Sequence, residues 1–382
     1  MPRRQLNNKQ DCEDFVRGCL FMGTGGGGGV EWGMSLLLNA LENGVKIEWV
    51  DVNDIPDDTW TCTIYSVGSI APPSEEMKKQ IIRLDLKDTL GGRGMEIAVK
   101  ELSAFAGVEV GGIVPVELGA GNSPAPLIAG IKMGIPVVDG DYAGRAVPEE
   151  MQSTPYLYKK NSFPLVSVDN WGNVVILKEA CNPHMLERIS KFLSVAAFGK
   201  CSIAATLLSG QEMKETVVAG TLTKCLEIGR TIRKSREQGD DPVKAVVEYL
   251  DGWSLFEGII SGKDWEDRDG YMFGTIHIIG YGEYEGQRME VWFKNENHIS
   301  WLDGEPYVCS PDLIVIVNRE TGESFTNDKI DTGQQVAVVG LKGVEGFRSE
   351  FGLAAGGPRY FGFDINYVPI EELMNKKLNL LD

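Results

Sequence analysis

Residues 112–141 of this chain read GIVPVELGAGNSPAPLIAGIKMGIPVVDGD. The stretch opens with a predicted strand, Gly112–Glu117, passes through a polar glycine-rich loop, and enters a helix predicted over Pro124–Met133. A second predicted strand, Ile135–Asp139, follows at once. Strands that alternate with helices of about ten residues favour a parallel or mixed sheet with helices packed on it.

The same alternation continues towards the N-terminus. Its pattern predicts strands at 45–50 and 61–67, with helices at 11–22, 30–43, 74–84 and 93–106. Gly44 stands where the left-handed residue that ends a helix belongs. We therefore expect an α/β domain over residues 11–170, built on a parallel or mixed sheet.

The pattern changes near residue 170. A strand at 171–177 and helices at 183–198, 221–237 and 242–250 are expected, and beyond about residue 252 most segments alternate as strands do. Strands are predicted there at 271–280, 288–294, 301–308, 313–317 and 335–341. These elements predict a second domain, 171–382, of α+β class and β-rich after about 252.

Composition limits the possible partners. The 382 residues are 43% hydrophobic, which is enough for large cores, and 37 basic against 55 acidic residues leave a net charge of −18. Such an acidic chain is a poor ligand for nucleic acid or anionic membranes. The 7 cysteines include no CxxC pair, and neither a signal peptide nor a spanning apolar stretch is found. We expect a cytoplasmic protein with reduced thiols.

Six of the seven residues 23–29, GTGGGGG, are glycine. Such a run indicates a backbone that needs positive φ or a close approach to another group. Gly23, Gly25 and Gly28 also fit G-x-G-x-x-G, but the preceding segment has a helical pattern where the dinucleotide fingerprint requires a strand. We expect Gly25, Gly26, Gly27 and Gly28 to bind a polar ligand through backbone amides, with a purely structural turn as the alternative.

Acidic residues follow two of the predicted strands. Glu117 ends one, Asp139 ends the other, and Asp141 follows in the next loop. Ligands of open α/β sheets bind at the carboxyl ends of the strands, so these three are candidate catalytic groups. Asn122, Ser123 and Arg145, in the adjoining loops, are candidate substrate-binding groups. Two alternatives remain: a turn capped by the two aspartates, with Arg145 paired to one, and a divalent metal ion held by Glu117, Asp139 and Asp141.

A third cluster, Asn295-Glu296-Asn297-His298, stands at the end of a predicted amphipathic strand. Polar residues in place of an alternating pattern indicate either a binding site or a solvated turn. We expect Asn295, Glu296 and Asn297 to contact substrate. The three histidines show no zinc-binding spacing, and no G-x-S-x-G motif of serine hydrolases is present.

Seven motifs, taken in this order, resemble the S-methyl-thiohydantoin desulfurase family. They are GTGGGGG (23–29), VPVELGAGNSPAPL (114–127), GIPVVDGDYAGRAVPE (134–149), VVAGTLTKCLEIGR (217–230), FKNENHISWLDG (293–304), PDLIVIVNRETGE (311–323) and GGPRYFGFDINYVP (356–369). The resemblance implies a two-domain hydrolytic enzyme that acts on a small hydantoin-like heterocycle, with water displacing a methylthio group from a ring carbon.

Within that reaction we expect Asp139 to be the general base and Glu117 or Asp141 the proton donor. Asn122 and the glycine amides would hold the ring oxygen. A homo-oligomer is also expected. Two other functions stay open: a nicotinamide-dependent (NAD) oxidoreductase, and a non-catalytic ligand-binding partner of a hydantoinase-like hydrolase.

Overall fold

The computed structural model describes residues 4–68 and 73–378. Its α-helices are α1 (Lys9–Met22), α2 (Val30–Glu42), α3 (Glu75–Arg83), α4 (Gly94–Ala106), α5 (Pro124–Met133), α6 (Thr154–Leu157), α7 (Pro183–Ala196), α8 (Gly210–Thr216), α9 (Thr221–Gln238), α10 (Pro242–Leu250), α11 (Glu350–Gly356) and α12 (Ile370–Leu378).

The strands are β1 (Gln5–Leu6), β2 (Ile47–Glu48), β3 (Trp60–Gly68), β4 (Val110–Val114), β5 (Gly140–Asp141), β6 (Leu165–Asp169), β7 (Val174–Leu177), β8 (Lys200–Ser209), β9 (Val218–Ala219), β10 (Trp253–Arg268), β11 (Tyr271–Gly280), β12 (Arg288–Lys294), β13 (Glu296–Leu302), β14 (Glu305–Cys309), β15 (Leu313–Asn318) and β16 (Gln335–Leu341). The predicted α/β part with a mixed sheet and the β-rich second part are both confirmed.

The first large sheet has five strands in the order β4-β3-β8-β6-β7. β3 and β4 run parallel, whereas β8 is antiparallel to both of its neighbours, β3 and β6. β8 was not predicted, because its sequence KCSIAATLLS has few β-branched residues and no strict alternation. Burial on both faces, not local propensity, makes it the central strand. The division at residue 170 stays a prediction, and this sheet has strands on both sides of it.

The strand predicted at Ile135–Asp139 was wrong as a regular strand. The segment makes only two isolated parallel bridges, Val50 to Val138 and Ile113 to Val137. Pro136 has no N–H to donate, so a continuous ladder cannot form through it. The chain then turns, and Gly140–Asp141 pairs with β9 instead.

The second large sheet has seven strands, each antiparallel to its neighbours, in the order β14-β13-β12-β11-β10-β16-β15. The strands predicted at 271–280, 288–294 and 335–341 have those bounds. The single strand predicted over 301–308 was wrong. Asp303 and Gly304, both at positive φ, form a two-residue turn between β13 and β14. Asp-Gly is a strong hairpin signal, which the alternating pattern obscured.

Helices α1 and α9 join the two parts of the chain at a close crossing. A Cβ on Gly18 would lie 1.7 Å from the Cys225 carbonyl oxygen, and one on Gly229 would lie 1.8 Å from the Asp14 carbonyl oxygen. Buried Asp14 also pairs with Arg233 of α9. Because α1 leads directly into the glycine run, this crossing fixes where that run begins.

In the described residues, no helix combines the length and the apolar character that crossing a membrane requires. The cytoplasmic location and the homo-oligomeric state stay predictions.

Gly18→Ala is expected to lower the free energy of unfolding by about 1–3 kcal/mol, since the added methyl group overlaps the α9 backbone and forces the helices apart. Urea unfolding followed by circular dichroism measures the change. Gly262→Ala is the matched control, because nothing lies within 4 Å of a Cβ at that position. Equal stability of the two variants would contradict the close crossing.

Candidate active site

A small cavity lies where the glycine run, the loop after β4, the middle of α7 and the β12–β13 turn meet. Its volume is about 60 Å³, room for a few water molecules. The backbones of Gly27 and Gly28 form one wall. The polar and charged side chains around it are Tyr65, Ser66, Glu117, Asn122, Glu149, Glu150, Glu187, Lys191, Lys200, Asn295 and Glu296.

The glycine run reaches the cavity by packing backbone against backbone. The Gly27 carbonyl accepts the N–H groups of Gly121 and Asn122, each at 3.0 Å. Gly27 has φ +79°, and a Cβ there would lie 2.5 Å from the Gly119 Cα. The amides of Gly27 and Gly28 donate no hydrogen bond within residues 4–68 and 73–378, so they are free to bind a ligand.

Gly25 and Gly26 serve packing. A Cβ on Gly26 would lie 1.8 Å from Glu296 Oε1, and one on Gly25 would lie 2.4 Å from Asn327 Nδ2. The Gly25 carbonyl also accepts the Asn327 N–H at 2.7 Å. The two expected uses of the run are therefore divided along it: close packing at 25–26, and a cavity wall at 27–28.

Glu117 is held at the cavity by two donors. Its Oε1 accepts from Asn122 Nδ2 at 2.5 Å, and its Oε2 accepts the Val147 N–H at 2.6 Å. Burial raises the pKa of Glu117 to about 7, although these hydrogen bonds and the charges of Lys191 and Arg145 favour the carboxylate. A carboxyl with this pKa changes its charge near neutral pH, as a general base must.

Glu296 enters the same cavity from the first position of β13. It is 2% exposed, and its Oε2 atom has no hydrogen-bond partner in the described part of the chain. Burial, followed by the negative charge of Glu117, raises the pKa of Glu296 well above its usual value. Two neighbouring carboxyls whose pKa values are separated in this way can act as base and acid.

The other two predicted residues of the second part, Asn295 and Asn297, hydrogen-bond to neighbouring backbone groups. Asn297 donates its N–H to the Thr24 carbonyl, and its own carbonyl accepts from Arg145 Nη2 at 2.8 Å. The same Nη2 atom contacts Thr24 Oγ1 at 2.9 Å. Asn295, at φ +57°, lines the cavity and bonds to the Met272 backbone. Arg145 is therefore a buried residue whose hydrogen bonds join the glycine run to β13.

Asp139, Asp141 and Ser123 do not line the cavity. Asp139 caps α9, accepting from the Thr223 N–H at 3.0 Å and from Thr223 Oγ1 at 2.6 Å. Asp141 Oδ2 accepts the N–H groups of Ala143 and Gly144, and burial raises the pKa of Asp141 to about 7. Ser123 Oγ accepts the Gly119 N–H. Both aspartates cap turns or helix ends, as the alternative expected, but Arg145 hydrogen-bonds to Thr24 and Asn297 and not to either aspartate.

The structure adds a group of residues that the sequence reading missed. Tyr65 from β3 donates to Glu150 Oε1, and Glu187 of α7 accepts from the Glu150 N–H and the Tyr271 hydroxyl. Lys191 is 5% exposed and lies over the Tyr271 ring, 4.2 Å from its centroid. One signal was present: Glu187 and Lys191 belong to a polar stripe at helical spacing on the buried face of α7.

Within the two described ranges, no three histidine, cysteine, aspartate or glutamate side chains are placed to share a metal ion. Glu117, Asp139 and Asp141 therefore do not form the metal-binding set considered from the sequence.

Helix α1, not a strand, precedes the glycine run. The structural context that the dinucleotide fingerprint requires is therefore missing.

The family comparisons agree with this architecture. The model of the S-Me-THD-like N-terminal domain matches residues 10–179, and that of the S-Me-THD-like C-terminal domain matches residues 181–370. The chain belongs to the S-Me-THD-like family. This match confirms the resemblance given by the seven motifs.

A crystal structure of a protein from Chromobacterium violaceum has the same fold, with a TM-score of 0.77 and 20% sequence identity over 96% of this chain and 100% of that one. No protein with a curated description matches the sequence.

The charge of Glu150 predicts a pH effect on stability. Burial, and next the charge of Glu187, raise the pKa of Glu150 to about 8 from its ordinary 4.5. Between these two values the folded state keeps a proton that the unfolded state releases, so the unfolding free energy falls as pH rises. Glu150→Gln removes this loss and is expected to be more stable than the parent at pH 8–9 by roughly 2 kcal/mol or more.

Thermal or urea unfolding from pH 5 to 9 measures this difference, which should vanish near pH 5. The matched control is Glu109→Gln, on the exposed surface. A constant difference between Glu150→Gln and the parent at every pH would contradict the raised pKa.

Proposed function

We propose that this protein hydrolyses an S-methyl-thiohydantoin-like heterocycle, releasing methanethiol and leaving a hydantoin-type ring. The observation that carries the proposal is that Glu117 and Glu296 line one cavity together with Gly27 and Gly28, whose amides have no hydrogen-bond partner among the described residues. Family membership supports the substrate class, and the cavity supports acid–base catalysis on a small polar molecule.

The first step is addition of water to the ring carbon that bears sulfur. The Glu117 carboxylate takes one proton from the water as its oxygen bonds to that carbon, and Glu296 gives its proton to the adjacent ring nitrogen. Gly27 and Gly28 donate their amides to the ring carbonyl oxygen, where negative charge develops. The product of this step is a tetrahedral carbon with hydroxyl, methylthio and ring nitrogen substituents.

The second step breaks the carbon–sulfur bond. The hydroxyl gives its proton back to Glu296 as the carbonyl forms, and the departing thiolate takes the proton held by Glu117. Both carboxyls return to their starting states, and the sum is one water consumed and one methanethiol released. No oxidant, reductant or further reactant is needed.

Lys191 supplies positive charge beside this reaction. Its ammonium group makes no hydrogen bond or ion pair with the residues the structure describes, and its contact is the Tyr271 ring. Five carboxyl groups line the cavity, and the charge of Lys191 favours the carboxylate form of Glu117 among them. We assign Lys191 the role of holding Glu117 ready as the base.

The base in this proposal is Glu117. The residue expected from the sequence was Asp139. Both side-chain oxygens of Asp139 are engaged by Thr223, and Arg4 adds a third contact at 3.3 Å. A base must lie beside the bound substrate, and Glu117 lines the cavity, whereas Asp139 does not.

Glu117→Gln is expected to lower kcat at least about 100-fold, because the amide cannot accept a proton from water. The assay is release of methanethiol from S-methyl-thiohydantoins, read with a thiol reagent. Asp139→Asn is the matched control and is expected to lose stability while kcat stays within about threefold. The reverse pattern, with Asp139→Asn inactive and Glu117→Gln active, would restore the sequence-based assignment.

The pH profile gives an independent test. Because Glu117 must be ionised, kcat/KM is expected to rise with pH through about 7, and it should fall at higher pH as Glu296 loses its proton. The two carboxyls interact, so the apparent pKa values of the acidic and alkaline limbs of this profile describe the pair and not either residue alone. Glu296→Gln should remove the alkaline limb and most of the activity.

Tight binding of hydantoins with no thiol release from any member of a substrate panel would indicate the non-catalytic binding function instead.

A further inference from the structure

A second cavity opens directly beside the first. It has a volume of about 340 Å³ and shares Ser66 of β3 and Lys200 of β8 with the smaller one. We call it the side groove. Its apolar wall consists of Trp32, Leu36, Met95, Ala125, Ile128 and Ala129.

The same helices that start at the small cavity continue along the side groove. α2 begins two residues after Gly28, and Trp32 and Leu36 lie one turn apart on its groove-facing side. α5 begins two residues after Asn122, and its next turns carry Ala125, Ile128 and Ala129. A molecule bound against the Gly27–Gly28 amides is therefore within one or two helical turns of this apolar wall.

Trp32 stands at the junction of the two cavities. A Cβ on Gly121 would lie 2.4 Å from Trp32 Cε3, so the indole ring rests on a position where only glycine fits. The ammonium of Lys200 lies 5.6 Å from the centroid of the same ring. The ring is therefore held in place by its neighbours before any ligand binds, which lowers the entropy cost of binding against it.

The two cavities differ in chemistry. The small one is lined by carboxyl and ammonium groups, where an apolar substituent would leave charges without water or partners. The side groove is large enough for an aromatic side chain and presents aliphatic and aromatic surface with a polar rim that includes Asp88 and Lys132. A substrate with a polar heterocycle and one apolar substituent matches the two cavities together.

Resting on the proposed function, we infer that the side groove receives the ring substituent of the substrate, and that the preferred substrate carries a large apolar or aromatic side chain. The heterocycle would lie on the Gly27–Gly28 amides, and its substituent would pass Ser66 and Lys200 to reach Trp32, Met95 and Ile128. The groove would then set substrate preference without taking part in bond making.

The test compares S-methyl-thiohydantoins derived from glycine, alanine, leucine and phenylalanine on the full chain. kcat/KM is expected to rise at least about tenfold from the glycine-derived to the phenylalanine-derived compound. Ala129→Phe, which fills the groove, should lower the ratio of the two values at least about fivefold. Trp32→Ala, which removes part of the apolar wall and does not fill the groove, should lower the ratio too. The test therefore does not depend on one variant folding.

Phe105→Ala is the matched control, because Phe105 is a 44% exposed residue of α4 outside the groove, and it should leave the ratio unchanged. Equal kcat/KM for all four compounds, or a ratio that neither groove variant moves, would overturn the inference while the proposed function stands.

Absence of thiol release from all four compounds would overturn the proposed function. Calorimetric binding of the glycine- and phenylalanine-derived hydantoins then tests the groove separately. Tighter binding of the phenylalanine-derived compound, lost in Ala129→Phe, would support the groove, and equal or no binding would refute it.

Discussion

Backbone contact between the glycine run and the loop after β4 is the constraint on which the site depends. Gly27 and Gly119 approach so closely that a side chain at either position would overlap the other's backbone. The same loop places Glu117 and Asn122 at the cavity, where the amides of Gly27 and Gly28 have no partner among the described residues. Arg145 and Asn297 also tie Thr24 to β13, whose first residue, Glu296, lines the same cavity.

The same burial that shapes the cavity controls its charge. Glu117, Glu187 and Glu296 are each less than a tenth exposed, so their charged forms are disfavoured unless a cation or a donor compensates. Lys191 and Arg145 offset part of this cost for Glu117 and Glu296. An arrangement that keeps carboxyls partly protonated at neutral pH lowers the stability of the fold, and such arrangements concentrate at functional sites.

Sequence reasoning predicted the helices well, since Pro124–Met133 and Pro242–Leu250 have the expected bounds. It also selected six cavity residues, namely Gly27, Gly28, Glu117, Asn122, Asn295 and Glu296. It failed where contacts between residues far apart in the sequence determine the local structure. β8 has weak local signals, and Asp139 follows a strand as a catalytic residue would, yet its oxygens cap a helix more than 80 residues away in the chain. Glu150 and Glu187 become neighbours only in the folded chain.

The position of β8 limits how this protein can be divided. The family match assigns residues 10–179 to one domain and 181–370 to another, whereas β8, from the second, lies between β3 and β6 of the first. A fragment cut at residue 180 would lose the strand that joins two halves of its sheet, and two long edges would be left open to aggregation. The two sequence domains are therefore poor units for separate expression or for chimeras between relatives.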